Sequence, residues 1–224
     1  MDITENFFNK VTFVLTNKEN YMKRILIIAA ALFTNATAFS QEDSRGGNNT
    51  FSMGPSVGVG HTGVRNTVGT AMFKPAWSAG LIFNYSSSQH IGISADVLWS
   101  FEGGLTDYIG TESDLDLEYI RIPLKFVYYF GSFEDDFRPK LTIGPSMGFL
   151  LNADSYVEGF GTTDVTSMYE MFDIGLNASA GLNWKIQNNV WLNADLNYYT
   201  GFTAIRADHY NNNLGLKIGM AFGL

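Results

Sequence analysis

Residues 213–224 alternate without interruption. Leu214, Leu216, Ile218, Met220, Phe222 and Leu224 fall on one face; Gly215, Lys217, Gly219, Ala221 and Gly223 fall on the other. A period of two is the mark of a β-strand. In a water-soluble sandwich the second face would carry solvating polar groups. Here it is mostly glycine with one lysine. Such a face suits the crowded, polar interior of a small barrel whose bulky outer face meets lipid.

The same texture recurs along the chain. Residues 51–60 set Phe51, Met53, Pro55, Val57 and Val59 against Ser52, Gly54, Ser56, Gly58 and Gly60. Further strands are predicted at about 75–86, 90–101, 117–130, 140–151, 169–185 and 190–198, which with 213–224 makes eight. Pro123, inside the fourth, reads as an edge or bulge position. Long loops are expected to begin at His61, Glu102, Asn152 and Gly201, and short turns at Ser86, Gly131 and Lys185. An even strand number with short turns at one end and long loops at the other describes an up-and-down transmembrane barrel with both termini periplasmic. The strands meet the ~9–11 residues that a tilted spanning strand needs. On the apolar faces, Tyr85, Tyr128, Phe130, Trp184 and Phe222 lie near the short turns; Trp77, Trp99, Phe101, Phe149, Phe172 and Tyr198 lie near the long loops. Two aromatic bands are what the two interfaces of a bilayer select.

Composition supports this class. Charged residues make up 16% of the chain, against roughly a quarter in soluble domains. Past the N-terminal region no window holds the ~20 apolar residues of a membrane helix. The chain has no cysteine, which excludes disulfides and thiolate metal sites. Its net charge of −8 argues against a nucleic-acid surface. Met22-Lys23-Arg24, the apolar run 25–33 and the small residues up to Ser40 form an export signal cleaved after Ser40 or Ala38. The expected organisation is therefore 1–21, a mis-called start or an extended n-region; 22–40, the signal; 41–49, a periplasmic leader; and 50–224, the barrel. Residues 1–40 hold three acids (Asp2, Glu5, Glu19) and four bases (Lys10, Lys18, Lys23, Arg24), so the mature chain stays acidic.

Several segments resemble a known family. Tyr119-Ile120-Arg121-Ile122-Pro123-Leu124-Lys125-Phe126, Ile143-Gly144-Pro145-Ser146-Met147-Gly148, Phe172-Asp173-Ile174-Gly175-Leu176 and Gly181-Leu182-Asn183-Trp184 are similar to the PorT-like outer-membrane β-barrel domain of Bacteroidetes. The resemblance spans nearly the whole mature chain. It implies location and fold and carries no catalytic residue; one named member assists a secretion system.

The inward faces carry Asp96, Arg121, Lys125, Lys140, Asp173, Asp195 and Lys217. An eight-stranded barrel is just wide enough for side chains to fill, so these charges are expected to pair into a plug. Counted from the strand ends, Asp195 lies opposite Lys217, and Asp96 lies between Arg121 and Lys125. The competing reading is a narrow pore. An enzyme is not expected: His61 and His209 sit in outer loops, but no serine stands beside either in a His-x-Ser arrangement. The loop acids Asp107, Glu112, Asp114, Asp116, Asp154, Glu158 and Asp164 lack calcium-loop spacing. No cofactor and no metal are expected. The reading is a monomeric eight-stranded outer-membrane barrel, filled inside, with a structural or interaction role through its loops or periplasmic rim. The expected partners are outer-membrane lipid, the barrel-assembly machinery that would recognise Phe222 and Leu224 at the C-terminus, and an extracellular or periplasmic protein. Secretion accessory and lipid-modifying enzyme are the remaining alternatives.

Overall fold

The computed structural model describes residues 50–187 and 189–223. The expectations for 1–49 and for Leu224 lie outside these residues. Ten strands follow in order: β1 (Thr50–Arg65), β2 (Thr70–Met72), β3 (Lys74–Ser86), β4 (Ile91–Tyr108), β5 (Thr111–Tyr129), β6 (Phe137–Val157), β7 (Gly161–Asp164), β8 (Phe172–Gln187), β9 (Val190–Gly201) and β10 (Tyr210–Gly223). Eight of them close into an antiparallel ring, β1-β3-β4-β5-β6-β8-β9-β10 and back to β1. The short β2 and β7 pair with β4 and β6 at the long-loop end. A 3-10 turn, Thr166–Met168, follows β7. Closure leaves no unpaired edge around the ring, as lipid demands.

The strands are strongly tilted. One ladder row runs Arg138, Asn183, Asn193, Gly219, Ser56, Gly80, Leu98, Arg121, Gly148. It leaves β6 at 138 and returns to β6 at 148, a stagger of ten residues once around the ring. For eight strands that stagger corresponds to a tilt of about 40°. Glycines thin one side of the wall. A Cβ on Gly80 would enter the backbone of Val97, and one on Gly144 would enter that of Leu124.

The closing seam pairs β1 with β10, with Met53 opposite Phe222, Val57 opposite Ile218 and Gly60 opposite Gly215. The outer surface is apolar and the interior is charged. Val59 is 65% exposed, whereas Asp96 is 1% and Asp173 0% exposed. The aromatic bands form as expected. Trp77 stacks on Phe101 at 4.0 Å and Phe149 packs edge-on to Phe172 at the long-loop end. Phe137 stacks on Trp184, and Tyr128 meets Phe130, at the other end.

The long loops differ from expectation. The segment beginning at Glu102 is continuous strand: β4 runs to Tyr108, β5 starts at Thr111, and Ile109 and Gly110 alone turn the chain. β1 continues past His61 to Arg65, β6 continues past Asn152 to Val157, and β10 begins at Tyr210. Between Glu118 and Tyr119 the β5–β6 register slips, leaving Leu151 without a partner in that ladder. Beyond this bulge the inward positions of β6 change parity, and Ala153 faces the interior at 0% exposure.

Candidate functional site

The sequence-predicted inward charges meet in two groups. In the first, Arg121 on β5 forms a fork on Glu102 of β4: Nε donates to Oε1 and Nη2 to Oε2, both at 2.6 Å. Nη2 also donates to Asp173 Oδ2 on β8 at 2.9 Å. Ser100 Oγ donates to Glu102, and Asn211 Nδ2 to Asp173. The guanidinium lies 4.0 Å from the Tyr199 ring centroid and 5.1 Å from that of Tyr119. Planar, doubly bonded geometry of this kind suits arginine and not lysine.

The second group centres on Asp96. Its Oδ2 accepts from Lys125 at 2.8 Å and also from Lys217. Beside it, Lys140 lies 3.1 Å from Asp195 and donates to Asn193 at 2.7 Å. The expected pairing of Asp195 with Lys217 is therefore corrected. The two are in register on β9 and β10, but Lys217 Nζ crosses to β4. The row from Lys217 toward β4 passes Gly58 and Ser78 and ends opposite Ser100, so only small groups stand beside the lysine on that side. Gly181, lying in the row between Lys140 and Asp195, lets that pair meet in the same way.

Glu102 was missed by sequence reasoning, which placed it at the head of a loop. The signal was present: Ser94, Asp96, Ser100 and Glu102 hold one parity, and Glu102 is 2% exposed. Thr142 and Ser179 share a further buried bond, and Arg138 Nη2 donates to the carbonyl of Gln89 near the short turns. Arg138 also lies 4.3 Å over the Tyr129 ring.

Above Arg121 the interior becomes apolar. Val64, Leu117, Tyr119, Ala153, Val165 and Ile205 form one buried cluster, with Leu115, Leu150 and Tyr169 against it. Val165 and Ile205 come from the loops after β7 and β9. The Val165 amide donates to Ala153 O at 2.9 Å, and Glu170 N donates to Ile205 O at 2.8 Å. These bonds fold the two loops inward as a lid on the outer mouth.

Outside the aromatic band, β4 to β7 continue together as a ribbon. Trp99 Nε1 donates to Glu118 at 2.7 Å where apolar surface gives way to charge. Lys74 joins Asp114 and Asp116. At the first tip, Ile109 (φ 53°) and Gly110 (φ 76°) take the two positive-φ positions of a type I′ turn. A β-branched residue is an outlier there, and Ile109 is 86% exposed. The second tip carries Phe160, 89% exposed, between two positive-φ glycines. The tips adjoin, since Glu158 N donates to Glu112 O.

Of the histidines, His61 Nδ1 lies 3.1 Å from the Lys74 carbonyl and the ring stacks on Phe73. His90 Nδ1 lies 3.1 Å from Tyr129 O. His209 bridges to Arg206 through its backbone. Among the described residues, no group of three or more His, Asp or Glu side chains is arranged to hold a metal ion.

The family described as outer membrane protein beta-barrel domain matches residues 39–206. Among solved structures, OprG from Pseudomonas aeruginosa is similar at 10% identity and a TM-score of 0.49, covering 80% of this chain and 97% of that one. Neisserial surface protein A is similar at 16% identity and 0.47, covering 75% and 95%. The N-terminal barrel domain of Pseudomonas aeruginosa OprF is similar at 16% identity and 0.44, covering 75% and 97%. No curated protein matches the sequence. With its closed eight-stranded ring and three-quarters of its length matched, the chain belongs to the outer membrane protein beta-barrel domain family and is a bacterial outer-membrane protein.

Proposed function

We propose that the protein is a non-conducting, non-enzymatic barrel that holds an interaction ribbon outside the membrane. The observation that carries this reading is Ile109. An exposed apolar β-branched side chain in left-handed backbone costs about 1–3 kcal/mol relative to a relaxed turn, and asparagine or glycine would relieve that cost. Holding an isoleucine there has a use if its side chain is a contact. Phe160 stands beside it on the second tip, with Tyr108 and Tyr156 also exposed. Glu112, Glu158 and Asp107 surround these groups, so a partner offering an apolar contact rimmed by basic groups fits best. The paired lumen charges and the apolar lid support a closed interior. The strand signatures 119–126, 143–148, 172–176 and 181–184 support a position in the PorT-like branch of the family.

Photo-cross-linking in growing cells tests the ribbon. Benzoylphenylalanine at position 109 or 160 is expected to give a discrete adduct that is absent when the probe replaces lipid-facing Ile143. Uncross-linked barrel alone at both tips would contradict the reading.

A further inference from the structure

A cavity of about 100 Å³ lies inside the barrel between the two charge groups, lined by Asp96, Ser100, Glu102, Arg121, Asn177 and Lys217, among others. Ala76 and Ser78 of β3 complete the glycine-rich side of its wall. Four of its lining groups carry buried atoms with no hydrogen-bond partner among the described residues: Asp96 Oδ1, Arg121 Nη1, Asn177 Oδ1 and Tyr199 Oη. Asp96 and Arg121 are 1% and 4% exposed. A buried carboxylate oxygen or guanidinium N–H left unpaired is costly, and four unpaired atoms in one cavity would concentrate that cost.

The donors and acceptors are mixed. Arg121 offers N–H groups, Asp96 offers a carboxylate lone pair and Asn177 offers an amide. A simple anion would be repelled by Asp96 Oδ1 and a simple cation by Arg121 Nη1. A molecule that both donates and accepts, and is small enough to turn between them, satisfies all four. The volume has room for about three water molecules at ~30 Å³ each. We propose that this cavity is a hydration site, in which a small water cluster bridges the Arg121–Glu102–Asp173 group to the Asp96–Lys125–Lys217 group. The two groups share no direct bond between them in the contacts above; water joins them into one network across the lumen.

The test is water-to-protein magnetisation transfer in lipid nanodiscs, observed at the Asn177 side-chain amide. The wild-type protein is expected to show a cross-peak of the sign given by long-lived water. Ser78→Val and Ala76→Leu each put apolar atoms into the cavity. In whichever of them still shows the folded gel shift, the cross-peak is expected to fall at least several-fold. Absence of the cross-peak in the wild type would overturn the proposal, as would an unchanged cross-peak in a folded, filled variant. The wild-type spectrum decides the matter even where neither variant folds.

Discussion

Arg121 shares its charge between Glu102 on β4 and Asp173 on β8, and so ties strands that lie apart in the ring. Removing one member of a buried ion cluster leaves the others charged and unpaired, at a cost of about 3–5 kcal/mol. Arg121→Met is expected to lower unfolding stability in lipid vesicles by that order. Asp116→Asn removes a partner of Lys74 that is 67% exposed, and is expected to cost no more than about 1 kcal/mol. Equal losses in denaturant titrations would contradict this ranking. Which residues face inward was readable from parity. Which charges meet was readable only in part: Asp96 falls between Arg121 and Lys125 and bonds Lys125, but Lys217 reaches past its in-register neighbour Asp195 to Asp96.

The elements were legible wherever their two faces meet different environments. β10 reads clearly because one face lies against lipid and the other against a tight interior. Beyond the membrane both faces of β4 and β5 meet water or polar neighbours. The apolar contrast then disappears from the sequence while the hydrogen-bonded ladder continues. That is why 102–116 resembled a loop. The bulge at Leu151 has no glycine or proline to announce it and likewise left no trace. β10 closes the ring, pairing with β1 on one side and β9 on the other. Deleting 213–224 would open two edges in lipid and remove the segment proposed to engage the assembly machinery. The expected outcome is loss of the folded, heat-shifted gel band from the outer-membrane fraction. Wild-type levels of that band would contradict it.

At the scale of the whole molecule, three zones follow one another along the barrel axis: paired charges, an apolar lid and an exposed ribbon. The fold class and membrane setting followed from strand parity and aromatic banding. The lid did not, because Val165 and Ile205 are single apolar residues in loops, and only the closed ring brings them over Leu117 and Tyr119. In the proposed function the lumen is filled and closed while the ribbon acts outside. Single-channel recording of the purified barrel in planar bilayers tests this most directly. The expected result is a flat baseline, with no steady open level at either polarity. A reproducible unitary conductance from the wild-type protein would contradict it.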